Sequence, residues 1–258
     1  MVGSVRDLPD GWGEAPYLLM AHGRSTVLAR WQADGAVLVA LAGRSDVVGL
    51  VGLGPAATVA GLVDAAVAAG VQEHHPVRWA TVPRGTWDAA GDPTRTALAG
   101  WSAPSGWDCM WTRRPLADAP DHPVVRLAPE DEASRAEVAA ALESAHPAAS
   151  TPPDDPRLTG WWGARVDGRL VAVVGALRYA PGLAPHLVSL GVHPDHRGRG
   201  LAGAVLAAAV RDGLADGTQV GPAAVWLGLY ASNDVARRVY LRHGFELGHE
   251  FESRSAPF

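Results

Sequence analysis

The sequence predicts an α/β protein, of the α+β kind with a mixed central sheet flanked by helices, and two observations lead to that prediction. Short apolar runs of strand length alternate with alanine-rich segments of helical length along both halves of the 258 residues. In each half, an apolar run leads through a glycine-bearing turn into a helical segment, and a further apolar run follows. With 48% hydrophobic residues, the chain can bury a full core.

The C-terminal half, residues 122–258, has the clearer order of elements: strand, helix, loop, three strands, helix, strand, helix and strand. The pair Asp167-Gly168 between two apolar runs is a strong signal for a two-residue hairpin turn. Residues 146–156 contain four prolines and are predicted as a loop. The predicted strands are 124–127, 161–166, 169–179, 187–192, 224–230 and 245–252, and the predicted helices are 130–142, a segment from 201 onward, and 233–243.

The N-terminal half, residues 1–115, repeats the order of strands, helix and strand in a weaker form. Here Gly52-Leu53-Gly54-Pro55 stands where the other half has its glycine-bearing loop. We interpret this half as a degenerate second copy, with a separate α/β cap as the alternative. The proline-rich stretch 115–123 is the predicted linker, which gives domains at 1–115 and 122–258. The predicted strands are 27–31, 37–41, 47–53, 77–82 and 107–112, and the predicted helix is 56–69.

The composition narrows the class of protein. A formal net charge of −5 with interspersed signs gives no basic surface for nucleic acid. The N-terminus has no apolar signal core and the apolar runs are too short to span a bilayer, so we expect a cytoplasmic protein without a membrane partner. Cys109 is the single cysteine, which excludes an internal disulfide framework and favours a buried structural thiol.

The segment 188–206 contains the most informative motif. An apolar strand ends at Val192-His193-Pro194, and Arg197-Gly198-Arg199-Gly200 leads into a helix that begins near Leu201. Free N–H groups and the positive end of the dipole meet at such a helix start, where they bind a diphosphate. Glycines at 198 and 200 let the backbone approach the anion. Neither a dinucleotide fingerprint nor a Walker loop is present.

A second motif follows at the expected place. The strand 224–230 is apolar on both faces, and the stretch 233–245 has the pattern Asn-x-x-Ala-x-x-x-Tyr-x-x-x-Gly-Phe. Together with the pattern Val-x-Pro-x-x-Arg-Gly-x-Gly-x-Ala at 192–202, it makes residues 122–258 resemble the GNAT superfamily of N-acetyltransferases. The N-terminal half would then be a degenerate GNAT-like unit that lacks a coenzyme loop.

The resemblance implies how coenzyme A is bound. The main chain of the strand before the loop would pair with pantetheine, and N–H groups of the loop and helix start would hold the diphosphate. The Asn233 side chain would bond the pantetheine arm, and a purely structural role as helix N-cap is the alternative. The implied coenzyme-binding residues are Leu190, Gly191, Val192, Arg197, Gly198, Arg199, Gly200, Leu201, Ala202, Asn233 and Ala236.

The resemblance also implies two catalytic residues. Tyr240 matches the general acid that protonates the departing thiolate, with ordinary core packing as the alternative. His186 lies on the strand where some family members have a glutamate base, and a histidine suits that task. Ser189, Glu143 or a chain of water molecules could supply the base instead.

The expected activity is therefore direct transfer of an acetyl group from acetyl-CoA to a primary amine of a small molecule or peptide. The alternative is a catalytically silent module that binds acyl-CoA and regulates or contacts a partner. No metal is expected, because no acidic or cysteine partner completes a set with His193 and His196. The acceptor site should depend on the loop 144–162, on the interface of the two halves and, in a homodimer, on the neighbouring subunit.

Overall fold

The computed structural model describes residues 3–43, 47–116 and 122–257, and its contacts divide the chain into two compact units. Most of the predicted linker 115–123 lies outside the described residues, and the domain limits 1–115 and 122–258 stay predictions. Unit 1 consists of Met1–Cys109, Leu229–Asn233 and Gly248–Phe258, and unit 2 consists of Met110–Gly228 and Asp234–Leu247.

Twelve strands and eight α-helices are present in the described residues. The strands are β1 (Gly3–Ser4), β2 (Thr26–Ala33), β3 (Ala36–Ala42), β4 (Val48–Leu53), β5 (Val77–Pro83), β6 (Ser105–Thr112), β7 (Val124–Leu127), β8 (Leu158–Val166), β9 (Arg169–Leu177), β10 (His186–Val192), β11 (Val225–Tyr230) and β12 (Glu246–Ser255). The helices are α1 (Pro16–His22), α2 (Ala56–Ala68), α3 (Val71–His74), α4 (Thr86–Ala89), α5 (Asp92–Ala97), α6 (Glu132–Ala145), α7 (Leu201–Ala215) and α8 (Asp234–Arg242). The predicted α/β class with mixed sheets and flanking helices is confirmed.

Unit 1 has a mixed sheet in which α2 connects two parallel strands. β2, β3 and β4 form an antiparallel meander, and β3 pairs with β4 without interruption from Val37–Leu53 to Ala42–Val48. The chain then crosses through α2 to β5, which runs parallel to β4. The last strand, β12, adds to the other edge of β5 in antiparallel fashion. Val59 and Val63 of α2 are buried in the core above this sheet.

Unit 2 has the same connectivity, but its two parallel strands are paired over fewer residues. β7, β8, β9 and β10 form an antiparallel meander, and α7 connects β10 to the parallel strand β11. Asp167 and Gly168 have φ of 50° and 79°, as the predicted hairpin turn requires. The two faces of the sheet are covered by different helices. Trp161 packs in a core with α6, while Trp162 Nε1 donates to Asp212 Oδ2 of α7 at 2.8 Å.

The segment that precedes β8 differs from the GNAT pattern. The GNAT resemblance implies a second short helix there, but residues 146–157, all of them described, contain turns and no helix. Three prolines at 152, 153 and 156 disfavour helix in this stretch, because each restricts the residue before it. No helix within the described ranges is long and apolar enough to cross a membrane.

Candidate active site

The parallel strands β10 and β11 separate soon after they begin. Their register pairs His186 with Trp226 and Leu187 with Leu227. Both strands lie wholly within the described residues, and no later residue of β10 has a partner in β11. The remainder of β10 therefore has a free main-chain edge, to which an extended chain can add by β-type hydrogen bonds.

A β-bulge lies in β10 where the separation begins. Val188 pairs with Gly175 of β9 and Gly191 pairs with Val173, so three steps along β10 correspond to two along β9. The extra residue falls at Ser189 or Leu190, and Ser189 has a left-handed φ of 54°. A bulge bends the strand and redirects its backbone groups. The predicted pantetheine-binding residues, Leu190 to Val192, thus lie at the bulge and on the free edge that follows it.

The connection from β10 to α7 has the geometry predicted for an anion loop. After a 3-10 turn at Pro194–His196, Gly198 and Gly200 adopt φ of 75° and 81°, and Leu201 begins the helix. These left-handed angles favour glycine over any residue with a Cβ. The first N–H groups of α7 have no acceptor within the helix, and the positive end of its dipole lies at the same place.

Side-chain contacts hold this loop in shape. Arg197 Nε donates to the carbonyl of Val192 at 3.1 Å, and Arg199 Nη2 donates to the carbonyl of Asp195 at 3.2 Å. His122 Nε2 lies 2.8 Å from the carbonyl oxygen of Arg199. Both arginines are exposed beside the helix start, so the loop presents positive charge as well as N–H groups. Sequence reasoning missed His122, because it lies in the stretch predicted as the linker.

The helix α8 packs against the start of α7. A Cβ on Gly203, in the first turn of α7, would lie 2.4 Å from the His243 ring that follows α8. Tyr240 is buried, its ring meets that of Phe245 edge-on at 5.6 Å, and burial raises the pKa of its hydroxyl to about 12. Tyr240 therefore keeps its proton at neutral pH, as a general acid must. At the other end, Asn233 is exposed just before α8, and Ala236 is half-buried in its first turn.

His186 lies on the face of the sheet that α6 covers. His186 pairs with Leu177 of β9, and Leu177 lies on the same face of the sheet as Gly175. The Trp161 ring, which belongs to the core with α6, packs over Gly175 on that face. The His186 ring stacks on Trp226, with centroids 3.9 Å apart and planes inclined by 13°. Burial, together with the positive charge of Arg157, lowers the pKa of His186 to about 3. The imidazole is therefore neutral at physiological pH, but it holds an added proton only weakly.

The sequence of residues 125–245 matches the family model of the acetyltransferase (GNAT) family. These residues form a GNAT acetyltransferase domain. Solved structures with the same fold include a GNAT-family protein from Novosphingobium aromaticivorans, which is 21% identical, with a TM-score of 0.50 over 90% of this chain and 92% of that one. A GCN5-related N-acetyltransferase from Kribbella flavida is 19% identical, with a TM-score of 0.50 over 89% of this chain and 90% of that one.

The fold likeness extends far beyond the GNAT domain. A GNAT-family acetyltransferase from Colwellia psychrerythraea is 14% identical and has a TM-score of 0.50 over 98% of this chain and 92% of that one. The N-terminal half is thus included in the shared fold. Among curated proteins, no significant match is found.

Another histidine lies at the bulge of the GNAT domain, and sequence reasoning assigned it no role. A Cβ on Gly191 would lie 3.1 Å from the Cβ of His146, which caps the C-terminus of α6. His146 Nδ1 is buried without a hydrogen-bond partner, and burial lowers the pKa of the ring. In the sequence, His146 is marked only by its place between the end of a helix and a proline-rich loop. Its closeness to Gly191 depends on packing between distant segments. Glu143, which the sequence also offers as a base, is exposed on α6.

The histidines of the glycine loop between β10 and α7 have no further metal ligands around them among the described residues. The rings of His193 and His196 meet edge-on at 5.5 Å, and His193 Nδ1 lies 3.8 Å from Asp195 Oδ2. Among the described residues, no group of three or more histidine, cysteine, aspartate or glutamate side chains could hold a metal ion. Outside the GNAT domain, Cys109 is a buried free thiol whose pKa is raised by burial.

Proposed function

We propose that the protein is an N-acetyltransferase that transfers an acetyl group directly from acetyl-CoA to a primary amine of a small molecule or peptide. The observation that carries the proposal is the free edge of β10, which lies next to a glycine loop and the start of α7. An extended pantetheine arm and a diphosphate need these two features side by side. The GNAT family match of residues 125–245 supports acyl transfer in general.

The coenzyme is held mainly by backbone groups in this proposal. Main-chain groups of Leu190, Gly191 and Val192 pair with the pantetheine arm, and Asn233 bonds the same arm beside Ala236. Amides of Arg197, Gly198, Arg199, Gly200, Leu201 and Ala202 hold the diphosphate. The two positive φ angles fit this role, because they leave the loop without a Cβ at the points of closest approach.

When bound, acetyl-CoA supplies the acetyl group as an activated thioester. The N–H row of β10 at the bulge polarises the thioester carbonyl and stabilises the negative charge that develops on its oxygen. Tyr240 donates its proton to the departing sulfur, and its raised pKa keeps that proton available. His186 accepts a proton from the acceptor ammonium on the α6 face of the sheet.

The test is turnover of acetyl-CoA with a panel of primary amines. We expect free thiol to be released only when an amine is present, and mass spectrometry to find the acetylated amine. Coenzyme binding without thiol release from any amine would instead favour the silent acyl-CoA-binding module. Products formed from a metabolite extract with labelled acetyl-CoA would then identify the acceptor.

A further inference from the structure

The ring of His186 is fixed by contacts on more than one side, and the most informative is with Tyr179. The Tyr179 hydroxyl lies 3.2 Å from His186 Nδ1, and the two rings stack with centroids 5.5 Å apart. The Trp226 ring also stacks on the imidazole, with centroids 3.9 Å apart. The orientation of His186 is thus set, and one of its two nitrogens is engaged with a phenol.

Tyr179 is itself held in place from the loop before β8. The Arg157 guanidinium lies over its ring at 5.6 Å, and Arg157 donates to Asp155 from Nη2 at 2.6 Å and from Nε at 2.9 Å. The backbone N–H of Arg178 donates to the carbonyl of Arg157 at 2.9 Å, which fixes the neighbouring backbone. Tyr179 nevertheless remains 44% exposed, so it reaches from the half-buried histidine to water.

A neutral imidazole has one N–H and one lone pair. If Nδ1 carries the hydrogen and donates it to the Tyr179 oxygen, Nε2 has the lone pair and can accept a proton from an amine. Burial and Arg157 make the doubly protonated ring unfavourable, so a proton accepted at Nε2 has to leave at once from Nδ1. The group in contact with Nδ1 is Tyr179.

We propose that Tyr179 is a positioning and proton-relay residue for His186, which fixes the Nδ1–H tautomer and carries the proton from the acceptor amine to solvent. In this step the ammonium N–H bond breaks and an Nε2–H bond forms on His186. The Nδ1–H bond breaks as an O–H bond forms on Tyr179, and the original phenol proton passes to water. The inference rests on the proposed function, with His186 as the base.

The activity test uses Tyr179→Phe, which keeps the ring and removes only the hydroxyl. We expect kcat to fall by roughly tenfold to a hundredfold, while the Kd for acetyl-CoA is unchanged. Turnover in mixtures of H2O and D2O reports how many protons move in one step. A plot of rate against deuterium fraction should be curved for the wild type and linear for the variant, because fewer protons move together in the variant. Tyr17→Phe, in unit 1, is the matched control and should retain wild-type behaviour.

A second measurement does not depend on turnover. Nitrogen-15 NMR of the histidine rings, with His186→Gln to assign the signals, should show Nδ1–H as the main tautomer of His186 in the wild type and Nε2–H in Tyr179→Phe. An Nε2–H tautomer in the wild type, or full kcat in Tyr179→Phe, would overturn the relay. Failure of the proposed function has a different signature, namely no thiol release from any amine in the wild type.

Discussion

The connections β4–α2–β5 in unit 1 and β10–α7–β11 in unit 2 have the same order of elements but differ where a coenzyme would bind. In unit 1, β4 and β5 stay paired as far as Val51 and Thr81, two residues before β4 ends. The pairing of β4 with β3 has no bulge. In unit 2, β10 leaves β11 after Leu187 and carries a bulge beside the gap. The edge of β10 that faces β11 is therefore free after Leu187 in unit 2, whereas the matching edge of β4 in unit 1 is paired with β5 through Val51.

The turns that lead into α2 and α7 also differ, in length and in the space around their glycines. Unit 1 passes from Leu53 to α2 through Gly54 and Pro55 alone, and a Cβ on Gly54 would lie 2.4 Å from the carbonyl oxygen of Gly35. Unit 2 uses the eight residues 193–200, with open space around the Cβ position of Gly198. A helix start is common to both units, so it is the loop and the strand separation that distinguish a candidate anion site from a structural crossover.

A stacked histidine and tryptophan are also common to both units. In unit 1, His22 of α1 stacks on Trp79 of β5 at 5.7 Å, and a Cβ on Gly49 of β4 would overlap the indole ring at 2.0 Å. His22 Nε2 is buried without a partner. In unit 2, Nδ1 of the stacked His186 lies beside the Tyr179 hydroxyl. The first pair fills a face of the sheet, whereas the second is connected to a group that reaches solvent.

The largest expected effect separates these two histidines. His186→Gln should lower turnover by roughly two to four powers of ten, the range for positioned acid–base groups. The matched variant His22→Gln removes the corresponding ring in unit 1 and should leave turnover unchanged. Steady-state rates with a saturating amine measure both. Equal losses in the two variants would assign the effect to lost packing and not to a base.

If His186→Gln keeps its activity, His146→Gln is the next variant to measure. His146 is half-buried and lies beside Gly191 at the bulge. A loss of turnover in His146→Gln would then identify His146 as the base. Ser189, Glu143 or a chain of water molecules would remain as the base if both variants were active.

The two helix starts provide the next comparison. Ala202→Glu puts a carboxylate at the second residue of α7, where it stabilises the helix but repels a diphosphate, so the affinity for acetyl-CoA should fall by about a hundredfold or more. Ala57→Glu makes the same change at the second residue of α2 and should have no effect. Calorimetry should find one coenzyme per wild-type chain. Two equivalents, or an effect of Ala57→Glu, would contradict the distinction between the units.

Tyr240 has no tyrosine counterpart in α4 or α5, the short helices that follow β5 in unit 1. Tyr240→Phe should lower turnover by about a hundredfold with little change in coenzyme affinity, because the proton is needed only as the carbon–sulfur bond breaks. A structural tyrosine would lose only the net contribution of one hydrogen bond, about 1 kcal/mol of stability. The decisive measurement is the ratio of the change in kcat to the change in Kd. Full activity of the variant would exclude Tyr240 from the mechanism.

Local signals in the sequence predicted the elements and the glycine loop. Asp167-Gly168 specified a hairpin, and Gly198 and Gly200 specified left-handed backbone, because such angles depend on the residue itself. Ser189 gave no such signal, since the bulge arises from a mismatch of registers between β10 and β9. The contacts of His146 with Gly191 and of Tyr179 with His186 join segments across loops, and no periodicity encodes them.

The pairing of β12 was equally inaccessible to local reasoning. The alternation of apolar and acidic residues at 245–252 predicts a strand, and β12 covers Glu246–Ser255. It pairs with β5 of unit 1, with Phe251 opposite Pro83 and Ser255 opposite Trp79. Strand partners separated by more than 160 residues are selected by the complete sheet, so the sequence pattern predicts that a strand exists but not where it pairs.

The last comparison concerns stability instead of activity, namely the stability of unit 1 in acid. Burial lowers the pKa of His22 to about 4, whereas an unfolded histidine has a pKa near 6.5. Between these two values the unfolded chain binds a proton that the folded chain excludes, so the free energy of unfolding falls as the pH decreases. The contribution of His22 is fully present above pH 6.5 and declines by up to about 1.4 kcal/mol for each pH unit until pH 4.

The variant His22→Phe keeps a ring against Trp79 but cannot titrate. Urea unfolding between pH 7 and pH 4 should therefore show a smaller loss of stability in this variant than in the wild type. The exposed His74→Gln is the control and should follow the wild-type curve, and an unchanged acid slope in His22→Phe would mean that the His22 ring is not buried in the folded protein.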